Sequence, residues 1–361
     1  AGPHADLGQF LLRTGDEAAA RTALETAFKI DPYDTVVFNL LQMLDTLDKY
    51  TTVEASPFIF KFPADQAAVL KTYAVPLAQA AYDEYKARYA FTPAGPILIE
   101  IFDTHDSFAV RTAGLPGIVG ALGACFGRVI AMDSPKARPP GDFSWQATLW
   151  HEIAHVFTLQ ASSYKVPRWL TEGLSQYEEH RRSAPWGREL TMQYARLMAQ
   201  GETFTLKKLT ESFKTHRIAM GYFEASLVAE HLEALGGTAA LRTLLAAYKD
   251  GADDTGAFTK AFGKTVPEIE ASFRAFATER FGGVDVLVRR TEQLASDNQL
   301  RLACHLADLA GWAAPDDPVV HAARAAIYLA RRKSEPSLMA KGIYAAAARE
   351  SQLVVESNGS T

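Results

Sequence analysis

Two histidines one helical turn apart give the strongest chemical signal in this sequence. His151-Glu152-Ile153-Ala154-His155 is an H-E-x-x-H motif inside the apolar stretch 147–159, which is typical of a helix. Because four residues make about one turn, both imidazoles project from one face and can bind a single zinc ion. Glu152 lies about 100° round the helix, where it can lean toward the open side of the metal without binding it. The motif predicts that Glu152 is the base that takes a proton from a zinc-bound water attacking a carbonyl.

A catalytic zinc usually has a third protein ligand. Glu172 provides a carboxylate in a second segment with a helical pattern, 167–177. No histidine follows His155 at the seven-residue offset that glycine-linked three-histidine sites use. We therefore expect one Zn²⁺ per chain, bound by His151, His155 and Glu172. The alternative at this point is a helix whose two histidines only pack or cap.

These two segments together are specific enough to indicate a family. The motif at 151–155, followed by Trp169-Leu170-Thr171-Glu172-Gly173-Leu174, resembles the gluzincin zinc metallopeptidases. The resemblance is greatest to a bacterial peptidase branch with attached helical repeats, distantly related to the M1 aminopeptidases. It covers about 51–283 and implies a thermolysin-like zincin domain, with a β-containing lobe at 51–143 and a helical lobe at 144–283. The spacing from the second histidine to the glutamate is shorter than in thermolysin or the M1 enzymes, so their specificities are not carried over.

The resemblance also implies two further site residues. In the M1 relatives an acid seven residues after the glutamate ligand holds a zinc-bound histidine, which assigns Glu179 to the outer nitrogen of His151. The alternative for Glu179 is a solvated, charged helix end at 178–182. In the same family a tyrosine at the head of a later helix donates to the oxyanion, and Tyr222 is the candidate. The other donors considered are Tyr177, Tyr194, His216 and His231, and the alternative for Tyr222 is an aromatic core residue.

A glycine-rich run at 120–127 precedes a predicted strand and the motif helix. By the same resemblance it corresponds to an edge strand beside the metal, to which a peptide substrate adds through main-chain hydrogen bonds. The alternative is a surface loop. Gly120-Ala121-Leu122-Gly123-Ala124 lacks the carboxylate of the Gly-Ala-x-Glu-Asn element that grips a free α-amine. This favours an endopeptidase over an aminopeptidase.

The remaining patterns predict an α+β fold that is mostly α. Residues 1–50 resemble one tetratricopeptide repeat and a further helix, with a plain helical hairpin as the alternative. The matching small and apolar positions are Leu7, Gly8, Leu11, Gly15, Ala20, Leu24, Ala27 and Pro32. Strands are predicted over 51–62, 97–102 and 127–132, a helix over 64–89, and helices nearly throughout from 143 to 281. Gly282-Gly283 marks a break, and 284–361 is predicted to be a C-terminal helical region with helices over 285–309, 316–332 and 335–350, and with a repeat-like arrangement left open.

Composition restricts the function classes. The chain has 361 residues, 48% of them apolar, and a formal net charge of −5, which argues against a general nucleic-acid binder. Cys125 and Cys304 are too few for a disulfide-dense scaffold or a cysteine-based zinc site. No run is long and apolar enough to predict a membrane span. The resemblance favours a periplasmic or secreted location over a cytoplasmic one, although the cysteine usage permits either.

Two functions follow as hypotheses. The first is a zinc-dependent metallopeptidase acting on peptides or proteins. The second is a catalytically inactive zincin with helical repeats that binds a protein partner.

Overall fold

The computed structural model describes residues 1–118, 120–188, 190–281 and 283–358. Helices account for 69% of it and the rest includes one small mixed sheet, which confirms the α+β, mostly-α class. Of the predicted C-terminal features, Gly282 of the glycine break and residues 359–361 lie outside the described residues. No helix in the described ranges is both long enough and apolar enough to span a membrane.

The chain divides into two compact units. The first comprises Ala1–Arg188 with Val228–Val266, and the second comprises Glu189–Leu227 with Pro267–Thr361. The domain boundaries predicted at 50, 143 and 283 are a different division, drawn from sequence patterns, and they stay a prediction.

The sheet of the first unit has five strands in the order β1-β2-β3-β5-β4. Their bounds are β1 Thr51–Ala55, β2 Phe58–Phe62, β3 Ile97–Phe102, β4 Gly123–Cys125 and β5 Val129–Asp133. The central pairs β2–β3 and β3–β5 are parallel, and both outer pairs are antiparallel. Every residue of β3 and β5 is buried, as expected for parallel strands covered on both faces.

Three helices precede the sheet: α1 Gly2–Thr14, α2 Glu17–Ile30 and α3 Thr35–Leu47. Each boundary has a local cause. Gly15 ends α1 with φ 82, a left-handed conformation that suits glycine. Asp16 and Asp34 cap α2 and α3 by accepting from backbone N–H groups. The apolar faces of these helices share one core with Phe102, Phe108 and Ala131 of the sheet region.

The remaining helices of the first unit are α4 Ala67–Tyr89, α5 His105–Ala113, α6 Trp145–Ala161, α7 Arg168–Arg182 and α11 Asp254–Phe262, with a short 3-10 helix at Ala184–Trp186. The second unit contains α8 Thr191–Ala199, α9 Leu206–Ser212, α13 Val284–Ser296, α14 Leu300–Ala313, α15 Pro318–Ser334 and α16 Leu338–Asn358. Helices α10 Ile218–Lys249 and α12 Val266–Phe281 contain the points where the chain passes from one unit to the other.

Two sequence predictions need correction. The predicted strand over 51–62 is two antiparallel strands, because Ser56-Pro57 turns the chain between them. The predicted helix over 285–309 is two helices, α13 and α14, separated at Asp297-Asn298-Gln299, where Asn298 has φ 58. Asparagine tolerates this left-handed backbone better than most residues, and the helical pattern on both sides concealed the turn.

Candidate metal centre

Helices α6 and α7 of the first unit position the predicted ligands. Ser144 caps α6 by accepting from the backbone N–H of Ala147, and the helix is buried from Leu149 to Thr158. Pro167 precedes α7 with an extended backbone, so the helix starts at Arg168. The two helices pack directly against each other, which brings Glu172 opposite the histidine pair.

The three predicted metal ligands converge on one point. His151 Nε2 lies 3.0 Å from His155 Nε2, and Glu172 Oε2 lies 3.4 Å from the first of these nitrogens and 3.2 Å from the second. All three residues are at most 9% exposed. Among the described residues, theirs is the group of histidine, cysteine and acidic side chains arranged to hold a metal ion.

The outward ring nitrogens of both histidines have partners. His151 Nδ1 lies 2.5 Å from Glu179 Oε1, and His155 Nδ1 lies 2.7 Å from Thr171 Oγ1. Thr171 Oγ1 in turn lies 2.7 Å from Thr158 Oγ1. A proton on each Nδ1 leaves the Nε2 lone pairs free to bind a metal, so these contacts fix the tautomer that ligation needs.

Sequence reasoning proposed Glu179 but missed Thr171. Glu179 is 8% exposed, whereas His180, Arg181 and Arg182 are exposed, so the charged helix end begins after it. Thr171 lies immediately before Glu172 within the Trp169–Leu174 segment. That position was the sequence feature that could have indicated a contact with one of the predicted histidine ligands.

Glu172 divides its carboxylate between two neighbours. Oε2 faces the imidazoles, while Oε1 lies 3.4 Å from Nε of Arg168, one turn earlier on α7. Arg168 is a further neighbour of the site that the sequence analysis did not single out. This arrangement presents one oxygen of Glu172 to the histidine pair.

Three carboxylates surround two imidazoles in this buried cluster, and the electrostatics follow from that. Burial disfavours the charged form of His151, but Glu179 and Glu172 outweigh it and raise its pKa to about 10. Burial also opposes ionisation of Glu172, yet the two histidines hold its pKa well below the usual range. Burial raises the pKa of Glu152, which makes its carboxylate a stronger base.

The donor set and its spacing fit a tetrahedral zinc ion. Ligands about 2.0–2.1 Å from such an ion lie about 3.3–3.4 Å from one another, close to the observed 3.0, 3.2 and 3.4 Å. Two imidazole nitrogens and one carboxylate oxygen are a common catalytic zinc set. A divalent cation would also place positive charge among the buried carboxylates of Glu152, Glu172 and Glu179.

Glu152 lies beside the edge strand β4. It is 5% exposed, and its Oε2 has no hydrogen-bond partner among the described residues. A Cβ added to Gly123 of β4 would lie 2.5 Å from Glu152 Oε1 and 2.8 Å from its Cγ. The absent side chain at Gly123 therefore makes room for the predicted base, and sequence reasoning did not identify this contact.

The glycine-rich run contains both a loop and a strand. Its residues 123–125 form β4, which pairs antiparallel with β5 and ends the strand order, so its other edge is unpaired within the described sheet. Gln160, near the end of α6, donates to the carbonyl of Gly127 at 3.1 Å in the following turn. Helix α6 therefore contacts both the strand and the turn.

The predicted oxyanion donor belongs to the second unit. Tyr222 is half-buried in α10, and its ring packs edge-on against Phe213 with centroids 4.9 Å apart. Its assignment as a donor to the oxyanion stays a prediction.

The alternative donors have other surroundings. Tyr194 donates to Glu224 at 3.3 Å within the second unit, and Tyr177 is hydrogen-bonded to Glu233. His216 is exposed, and His231 is buried, which lowers its pKa.

Comparison with known proteins gives one finding, and it concerns the C-terminal part. Residues 266–353 match a family model described as alkyl sulfatase dimerisation. No curated protein matches the chain. No solved structure matches it either. The matched range spans α12 to most of α16, and the similarity to that family applies to this segment. The range excludes the His151–His155–Glu172 cluster, so the gluzincin resemblance stays a prediction.

Proposed function

We propose that the chain is a zinc-dependent metallopeptidase of the gluzincin type, with a thermolysin-like zincin fold in its first unit. One observation supports this most directly. Three donor atoms converge within 3.0–3.4 Å, beside the buried, unpartnered carboxylate oxygen of Glu152. An unpaired buried carboxylate oxygen is costly, and a general base that must accept a proton accounts for it.

His151, His155 and Glu172 would hold the ion, while Glu179 and Thr171 keep the two rings in the ligating tautomer. When bound, zinc supplies a Lewis acid that activates water and polarises a carbonyl. Glu152 takes a proton from the attacking water as the oxygen–carbon bond forms. It then gives that proton to the leaving amine nitrogen as the carbon–nitrogen bond breaks. The role of Tyr222, a residue of the second unit, stays a prediction of the sequence analysis.

The unpaired edge of β4 is the proposed site for the substrate main chain. An extended peptide would add there as a further strand, with main-chain hydrogen bonds giving affinity. Gly123 brings this edge against Glu152, so a carbonyl on the added strand would lie near the base. The Gly-Ala-Cys sequence of β4 contributes no carboxylate to grip an α-amine, which favours endopeptidase action.

Metal content tests the site before activity is sought. We expect about one zinc per chain in protein purified without added metal or a histidine tag. Glu172→Gln should contain clearly less. Glu54→Gln, a matched control on exposed β1, should equal the wild type. A wild type that holds no zinc and takes up none when zinc is added would contradict the proposal.

Cleavage of a broad peptide library then tests the chemistry. Glu152→Gln should keep its zinc and lose hydrolysis by a factor of about 10² or more, because removing a positioned base costs about that much. The alternative function is an inactive zincin scaffold that binds a protein partner through its helical repeats. That alternative gains if zinc-loaded wild type cleaves nothing while a partner binds wild type and Glu152→Gln equally.

We also propose that the second unit associates with a second copy of this chain. The family match at 266–353 is described by dimerisation, and α16 presents an apolar face to solvent. Its members Leu338, Met339, Ile343 and Leu353 are 84%, 80%, 61% and 52% exposed. The helical period places these four positions on one side of α16.

Light scattering at micromolar concentration tests this association. Wild type should be a dimer and Leu338→Glu/Ile343→Glu a monomer, because charges placed in an apolar interface are desolvated without partners. Val69→Glu, on an exposed apolar position of the first unit, is the control and should remain dimeric. A monomeric wild type would contradict the proposal.

A further inference from the structure

A second polar cluster in the first unit lies apart from the metal ligands, and none of the roles above uses it. It consists of His105, the first residue of α5, Asp133, the last residue of β5, and Arg138 in the loop that follows. Asp133 Oδ2 lies 2.8 Å from His105 Nδ1 and 3.0 Å from Arg138 Nε. Asp133 is fully buried, while His105 and Arg138 are partly buried.

The other ring nitrogen of His105 holds a loop. His105 Nε2 lies 2.5 Å from the carbonyl oxygen of Ile118. A carbonyl only accepts, so Nε2 carries a proton and donates it to Ile118. Asp133 Oδ2 lies beside Nδ1, and Nη2 of Arg138 lies 3.0 Å from Nδ1 and 3.1 Å from Nε2, so these two residues fix the orientation of the ring.

The loop held in this way leads directly into the edge strand. We call residues 115–118 and 120–122 the approach loop. The backbone N–H of Asp133 donates to Leu122 at 3.0 Å, so the end of β5 anchors the loop at Leu122 and, through His105, at Ile118. Gly117 and Gly120 have φ 85 and 87, a left-handed backbone that glycine adopts at little steric cost.

The cluster contains a buried, unpartnered carboxylate oxygen, which lowers the stability of the fold. Asp133 Oδ1 is buried and has no hydrogen-bond partner among the described residues. A simple ion pair for stability would not leave a buried carboxylate oxygen unsatisfied. Asp133 orients His105 with its other oxygen, Oδ2, and this role accounts for a buried carboxylate at this position.

We propose that His105, oriented by Asp133 and Arg138, is a positioning residue that fixes the approach loop and thereby the seat of β4 against Glu152. The residue touches neither substrate nor metal and acts through Ile118 and the strand that begins at Gly123. Its consequence for substrate binding rests on the proposed function, but the anchoring itself does not.

Hydrogen–deuterium exchange tests the anchoring without any activity. In His105→Ala, amides in 115–118 and 120–126 should exchange about threefold to tenfold faster, since one hydrogen bond contributes free energy of that order. His105→Gln, which can keep a donor near the Nε2 position, should restore protection. Amides of α6 should be unchanged, and His216→Ala, at an exposed histidine of the second unit, is the matched control.

A second variant and a second readout make the result decisive. Arg138→Gln leaves the imidazole in place and loosens only its orientation, so it should accelerate the same amides by a smaller factor. In zinc-loaded protein, His105→Ala should raise KM for a cleaved peptide with zinc content unchanged. Unchanged exchange at 115–118 and 120–126 in both variants, or equal acceleration in α6, would overturn the proposal. Loss of hydrolysis in the wild type would count against the proposed function and leave the exchange result readable.

Discussion

The contact between Gly123 and Glu152 gives the sharpest prediction about the proposed chemistry. In Gly123→Ala the new methyl carbon would lie 2.5 Å from Glu152 Oε1, 2.8 Å from its Cγ and 2.9 Å from its Cδ. Ordinary carbon–carbon contacts begin near about 3.5 Å, so the two groups must separate by roughly 1 Å. The far end of the Glu152 side chain can move more easily than the paired strand β4. We therefore expect the base to be displaced while the fold persists.

The magnitude follows from that displacement. A misplacement of about 1 Å at a catalytic group costs roughly 10²-fold in rate, whereas overpacking typically costs about 1–3 kcal/mol of stability. Gly123→Ala should thus lose about two orders of magnitude in kcat/KM, keep its zinc, and stay folded with a modest fall in thermal stability.

Three measurements on the same preparation check this prediction: peptide hydrolysis, metal content and thermal unfolding. Gly342→Ala, which adds a methyl group to open space on α16, is the matched control and should match the wild type. Full activity in Gly123→Ala would refute the reasoning about Glu152. Loss of zinc or of the fold together with activity would assign Gly123 a packing role instead.

Three further predictions concern other contacts of the structure. Thr171→Val keeps the shape of the side chain but removes the hydroxyl beside His155 Nδ1. Zinc affinity measured by chelator competition should therefore fall about tenfold to a hundredfold. Unchanged affinity would mean that this contact does not support His155. Arg88→Met removes the buried guanidinium that pairs with both Glu178 and Glu233, while Arg181 and Tyr89 keep their contacts with Glu178. The free energy of unfolding should therefore drop by about 1.5–3 kcal/mol in urea titrations, and a loss below about 1 kcal/mol would contradict this. Burial raises the pKa of Glu224 from 4.5 to about 7, so the stability contributed by its neutral form is complete below pH 4.5 and is lost as pH rises through 7, roughly 3 kcal/mol in all. Glu224→Gln should flatten the pH dependence of the free energy of unfolding over that range. An equally steep dependence in the variant would show that other groups cause it.

Local patterns predicted the elements of the site well. The strand over 97–102 has its predicted bounds, and α6 contains the predicted helical stretch 147–159. Both were predictable because apolar periodicity is a local property. The spacing of His151 and His155 alone places both rings on one face. The outward partner Glu179 was assigned through the family resemblance, which has an acid two turns after the glutamate ligand on the same helix.

Predictions that depended on chain reversals were weaker. Ser56-Pro57 divides the predicted strand over 51–62, and Asn298 divides the predicted helix over 285–309. In both places apolar residues continue the pattern across the turn, so periodicity alone predicts one element. A turn depends on a few backbone angles, which periodicity does not report.

Spacing along the chain identifies the chemical groups of the candidate site: two imidazoles on one face, a predicted base between them and a further acid in a second helical segment. Three contacts are visible only in the folded chain: Glu172 Oε2 lies within 3.2–3.4 Å of both rings, Thr171 lies beside the outer nitrogen of His155, and Gly123 makes room for Glu152. The two kinds of information differ in the sequence distance over which the responsible interactions act. Helical spacing is set by hydrogen bonds over four residues, whereas the approach of α7 and β4 to α6 depends on the packing of side chains distant in sequence.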